Sequence, residues 1–238
     1  MLPVTKLTVS LMQFCVGLWM STVCVLAQRP ICQCYPLQFV VTQKSLVAGI
    51  SSQSGTPMIV RENAYVAFNA LSKMAGMLIN VTSVDGTMNN HYHVIVDAKK
   101  DMWTIDLDSF TCNRTRYRTH FKRCVPDAAN YTGSFYVGSR QLFGDEWTFF
   151  SPNPAAAGIE TLGLLQDSCI PLRATFVGEI QSVQVTASIA FDDYQEGISN
   201  PDKFFKIPGY CPLKIGTKRV PVKNGALWYQ PVAGHFIL

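Results

Sequence analysis

The chain has 238 residues, 48% of them hydrophobic and 15% charged, with a formal net charge of +4. So mild a basic excess does not point to a nucleic-acid partner. It also excludes the strongly acidic composition of a bulk calcium-sequestering matrix protein.

Residues 1–27 read as a secretory signal peptide. Lys6 supplies the positive start, an apolar run follows from Leu7 to Leu26, and Val25-Leu26-Ala27 offers a cleavage site. The run approaches the about 20 apolar residues that span a bilayer. Ser10, Gln13, Ser21 and Thr22 interrupt it, however, and no second apolar span follows. Cleavage would leave 211 residues (238 less 27), with a charge of +3 once Lys6 is gone. That length suits a single domain over 28–211 with its own core, followed by a basic C-terminal extension over 212–238. Cys15 and Cys24 would leave with the signal. The six remaining cysteines, Cys32, Cys34, Cys112, Cys124, Cys169 and Cys211, imply three disulfides in an oxidising compartment. Spacing alone does not choose among the fifteen possible pairings.

From there the pattern is one of strands. Leu37–Val41, Met58–Arg61, Ala64–Phe68 and Met77–Val81 are short, β-branched or aromatic, and separated by turn residues. His91–Val96 and Met102–Leu107 flank Lys99-Lys100-Asp101 and form a predicted hairpin. Arg114–Thr119 alternates charge with Thr or Tyr, which predicts a solvated arginine face. Ser134–Val137, Glu146–Phe150 and Glu160–Leu165 follow, and the Pro/Ala-rich stretch 151–158 is a loop inside the domain rather than a boundary. Two longer strands, Leu172–Gly178 and Ser182–Phe191, end the series. Val183, Val185, Ala187, Ile189 and Phe191 share one face of the last, as in a half-buried antiparallel strand. Asn200-Pro201-Asp202 resembles an N-cap with proline at the first helical position, so a short helical turn is expected between Gln195 and Phe205. About ten strands in one domain mean an all-β fold of two stacked antiparallel sheets or a barrel.

Sequons at Asn80, Asn113 and Asn130 predict a glycoprotein. His91 and His93 would point the same way from one strand, yet no third metal ligand accompanies them, so a solvated hairpin face is the better reading. Asp192, Asp193 and Asp202 gather near a strand end and are a weak calcium candidate without EF-hand spacing. There is no nucleophile elbow, zinc-protease motif or phosphate loop, which argues against an enzyme and against any required cofactor.

One cysteine-bounded segment carries a recognisable pattern. Cys169 is followed by Pro171, Phe191-Asp192 leads to Gly197-Ile198 and Pro201, and Pro208 precedes Cys211. Together with Trp103-Thr104-Ile105-Asp106 ahead of Cys112, these residues resemble the ependymin family, strongly over about 99–211 and less before it. The resemblance implies a secreted glycoprotein of two stacked antiparallel sheets, an open or half barrel around an apolar pocket, similar to bacterial lipoprotein carriers. It also implies homodimers and association with calcium, lipid-like ligands and extracellular matrix. The family pairing would join Cys112 to Cys211 and Cys169 to the amino-terminal cysteine, leaving Cys124 for whichever of Cys32 and Cys34 remains. The tail, with Trp228, Tyr229 and Phe236, is longer than the family pattern. Pocket-wall candidates are Phe39, Phe68, Trp103, Phe135, Trp147, Phe149, Phe176 and Phe191. The expected function is binding of a hydrophobic ligand, and the alternative is a structural component of extracellular, even mineralised, matrix.

Overall fold

In the computed structural model, residues 34–212 are described, apart from 52–54, 56, 117–122, 140, 152–155 and 181–182. The signal segment, Cys32 and the extension beyond Pro212 lie outside the described residues. Eleven strands follow in order: β1 (Gln38–Ser51), β2 (Pro57–Asn69), β3 (Met74–Ser83), β4 (Asn89–Val96), β5 (Asp101–Asp106), β6 (Thr111–Arg116), β7 (Asn130–Val137), β8 (Leu142–Phe150), β9 (Ala156–Leu165), β10 (Pro171–Ile180) and β11 (Val183–Glu196). All pairings are antiparallel. The spatial order is β6-β5-β4-β3-β2-β1-β11-β10-β9-β8-β7. The all-β, open and disulfide-stapled architecture is as expected, with one difference. The strands form one continuous, unclosed sheet rather than two separate ones.

The chain therefore walks outward from the middle of the sheet to one edge, crosses to the other edge, and walks back until β11 pairs with β1. The crossing uses only residues 117–129. It is pinned midway by the Cys34–Cys124 disulfide, which ties it to the entry of the central strand. Six residue steps, from Cys124 to Asn130, reach at most about 21 Å. Five strand spacings on a flat sheet would need about 24 Å. Curling of the sheet shortens the path of this linker and buries the hydrophobic face.

Side-chain parity defines two faces. One, here the inner face, carries the main core: Phe39, Val41 and Val47 of β1, Val60, Val66 and Phe68 of β2, Met77 of β3, Leu162 and Leu164 of β9, Phe176 of β10, and Val185, Ala187 and Ile189 of β11. Tyr35 and Val125, the neighbours of the Cys34–Cys124 bridge, belong to the same core. Tyr35 packs edge-on against Phe39 and Phe68. Burial, and after it the charge of Glu160, pushes its phenol pKa upward.

The outer face is covered locally by the predicted helical turn, α1 (Pro201–Phe205). Asn200 caps it by accepting from the Lys203 N–H at 3.3 Å. Phe204 packs on Val40 and Ala67. A carbonyl of α1 lies so near the sheet that a Cβ at Gly76 would come within 2.3 Å of the Phe204 oxygen. Beyond α1 the chain runs to Cys211, which is bonded to Cys112 of β6. Ile95, Trp103 and Ile105 bury themselves beneath that bridge.

Candidate ligand-binding site

The site is built from the inner face, and its residues can be followed row by row across the strands. One row runs Trp147–Leu162–Ala174–Ile189–Ser45–Glu62–Val81. A second runs Phe149–Glu160–Phe176–Ala187–Val47–Val60. A third contains Phe191–Gln43–Ala64–Ile79–Tyr92. Six of the eight expected wall aromatics, Phe39, Phe68, Trp147, Phe149, Phe176 and Phe191, lie on this face and join or pack against the core. Phe39 and Phe68 stack at 5.2 Å.

Trp103 and Phe135 do not join them. Trp103 pairs with Ile95 and Arg114 on the outer face, where the guanidinium of Arg114 sits 5.1 Å from its ring. Phe135 pairs with Gly144 and lies beneath the Arg173 guanidinium, 4.0 Å away. A Cβ at Gly144 would come within 2.3 Å of the Phe135 ring, so that glycine provides the room. Strand parity, not aromatic character, decides which side a ring takes.

Polar side chains interrupt the apolar inner wall. Gln43, Ser45 and Glu62 are buried at 0%, 5% and 1% exposure, and Ser45 stands directly opposite Glu62. Gln43 Nε2 donates to Ser45 Oγ at 3.0 Å, while Gln43 Oε1 is buried with no hydrogen-bond partner. On the other half of the sheet, Asp145 accepts from Ser134 Oγ at 2.9 Å and Gln166 Nε2 at 2.8 Å through one oxygen. Its second oxygen is buried without a partner, as is the indole N–H of Trp147. Inward strand positions also hold Glu160, and none of them holds a lysine or arginine among the described residues. Strand patterning did not reveal these polar groups, because each breaks the apolar alternation it sits in.

The acidic residues proposed for calcium are not assembled. Asp192 pairs with Lys44 at 2.9 Å, and the hydrogen bond that Lys44 donates to Asp192 holds its pKa up. Asp193 is exposed with φ of 53°, and Asp202 is exposed in the first turn of α1. Among the described residues no three His, Cys, Asp or Glu side chains are grouped to hold a metal ion. His91 and His93 point outward together but have separate partners. His91 meets Asp108 at 3.0 Å, whereas His93 is buried under α1 with Nε2 at 2.8 Å from the Phe204 carbonyl. The expected solvated face is thus closed over at His93, and burial lowers its pKa. The predicted solvated arginine face is also partly built in: Arg114 and Arg116 reach the buried Asp101 at 2.6 and 3.1 Å.

The Cys112–Cys211 bridge closes the segment that carries the sequence pattern, and the ependymin family model matches residues 87–211. That is 125 of the 238 residues (211 − 87 + 1), just over half. The chain belongs to the ependymin family. Cys34 pairs with Cys124, so the ependymin pattern's uncertain third bridge is resolved on that side. Cys169 is also disulfide-bonded, and Cys32 lies outside the described residues. Of this ependymin's sequons, Asn130 is exposed at the start of β7, while Asn80 and Asn113 are half-buried on β3 and β6. No curated protein matches the chain. Among solved structures it is similar to an uncharacterised conserved protein of Thermus thermophilus, with 12% identity, TM-score 0.40, and 71% of this chain and 86% of that one covered. A DUF1329 family protein of Desulfovibrio piger gives 10% identity and TM-score 0.33 over 70% and 89%. A LolA superfamily protein of Nitrosomonas europaea gives 8% identity and TM-score 0.30 over 71% and 90%.

Proposed function

We propose that this family member is a secreted, glycosylated, non-catalytic carrier that holds a hydrophobic, lipid-like ligand against the inner face of its sheet. The observation that carries this reading is the unclosed eleven-stranded sheet whose two halves turn one apolar face inward. Polar atoms without partners on that face are where a ligand or ordered water would be received. Disulfides support an oxidising, extracellular setting. The test is native purification of the glycoprotein from secreting cells, followed by mass spectrometry. A stoichiometric amphiphile is expected. Its absence, together with no binding of a neutral fluorescent apolar probe, would overturn the reading.

A second observation bears on partners. Phe150, Ile159, Val177, Thr186, Ala48 and Ile59 form one cross-strand row on the outer face, with Phe150 80% exposed and Val177 57% exposed. Isolated exposed apolar residues need no explanation, but five in one cross-strand row, broken only by Thr186, do. It supports self-association into a homodimer through this face, and it also serves the alternative of a structural matrix component. Calcium forms no part of the proposal. Millimolar calcium is expected to leave the melting temperature unchanged, and a marked rise would reinstate a calcium-dependent matrix role.

A further inference from the structure

The central strand places its polar residues where a purely apolar carrier has no use for them. Gln43 and Ser45 sit on β1, flanked on the same face by Val41 and Val47. Across the neighbouring strands Gln43 faces Phe191 and Ala64, and Ser45 faces Ile189 and Glu62. Leaving an amide oxygen buried without a donor forfeits its hydration with nothing in return, so an apolar residue would stabilise the empty protein better. Gln43 gives one of its two amide N–H bonds to Ser45, which orients the side chain and leaves its carbonyl oxygen as an acceptor without a donor in an apolar wall. The unpartnered oxygen of Asp145 on the same face is a second acceptor. The titratable groups at inward strand positions include Glu62, Asp106, Asp145 and Glu160, all acidic, with no lysine or arginine among the described residues.

We infer that the inner face reads the head of its ligand through the Gln43 oxygen, and selects long-chain amphiphiles whose head donates a hydrogen bond over those with an anionic head. The donor is a hydroxyl, primary amide or ammonium group. A carboxylate or phosphate would present lone pairs to an acceptor, and no inward lysine or arginine among the described residues would offset its charge. The inference rests on the carrier reading, and it names the chemistry that the carrier prefers.

The test uses the full glycosylated protein and displacement of the neutral probe N-phenyl-1-naphthylamine at pH 7. The competitors share one C18 chain and differ only in the head: octadecanol, octadecylamine, octadecanamide and stearate. The donor-headed compounds should each bind about tenfold more tightly than stearate, the size of one neutral hydrogen bond. Gln43→Leu should weaken them by a similar factor relative to stearate, so that the ranking of heads collapses. That variant is expected to fold, because it removes a buried orphan acceptor. If it does not, the ranking in the unsubstituted protein still decides. Equal binding of all four heads, or preference for stearate, would overturn head selection and leave the carrier reading standing. Failure of the probe and of every competitor to bind would remove the carrier reading itself. Among the donors, tighter binding of the amine points to a carboxylate contribution, and equal binding of amine and alcohol points to Gln43 alone; either ranking supports the inference.

Discussion

Gly76 and His93 are adjacent determinants of how α1 sits on the sheet, and each makes a separate prediction. Gly76 leaves room for the Phe204 carbonyl, and His93 Nε2–H donates to that same oxygen. Gly76→Ala forces the backbone of α1 to move, so a loss of about 1–3 kcal/mol is expected, read as a lowered midpoint in urea. Burial holds the folded pKa of His93 below its ordinary value, so the folded state prefers the neutral ring. The stabilisation linked to it is present above the unfolded pKa of about 6.5 and is lost as pH falls through the folded value. His93→Gln keeps a donor but cannot titrate. It should flatten the acid limb of a melting-temperature profile below about pH 6.5; an unchanged slope would refute the role. Asp101 follows the same sign for another reason. Hydrogen bonds from Arg114 and then Arg116 hold its carboxyl below the usual range, so its contribution exists above about pH 4 and fades below it. Asp101→Asn should lower the melting temperature at neutral pH and narrow its difference from the unsubstituted protein in strong acid.

At the scale of elements, what could be read in the sequence depended on whether local chemistry and tertiary burial agreed. The β4–β5 hairpin was legible because Lys99-Lys100-Asp101 is turn chemistry, and Lys100 indeed adopts φ of 63°. The cap at Asn200 was legible for the same reason: one side chain and one proline determine it locally. β1 was foreseen only as Leu37–Val41 and β2 as two pieces, because Gln43, Ser45 and Glu62-Asn63 look like interruptions. They are strand residues whose inward members are buried in a wall formed by strands far away in sequence, and no local signal reports that. The candidate site was therefore half legible: the apolar wall followed from alternation, while its polar centre did not. Trp103 and Phe135 were misplaced because parity relative to the core was unknown until the register was fixed. The Cys112–Cys211 bridge ties the chain beyond α1 to edge strand β6 across 99 residues. Replacing both cysteines by serine should cost about 2–5 kcal/mol in equilibrium unfolding, with β6 the first strand to gain hydrogen exchange.

For the whole molecule, the exposed outer row makes the oligomer testable independently of any ligand. Val177→Glu with Ile159→Lys should shift a homodimer to monomer in analytical ultracentrifugation without changing apolar-probe affinity, since both side chains face away from the inner wall. A dimer that persists would place its interface elsewhere. The strand order has a further consequence, concerning how the protein is made. β1 pairs on one side with β2, which follows it at once, and on the other with β11. The span from Ser51 to Val183 is 132 residues (183 − 51). At about 5–20 residues per second, the ribosome needs about 7–26 s to supply that partner. During that time a fourteen-residue strand has one unpaired, hydrogen-bond-hungry side. The nascent chain thus passes through a half-built stage with an open edge at the very place that later becomes the middle of the sheet. Correct folding depends on keeping that edge covered until the end of the chain arrives.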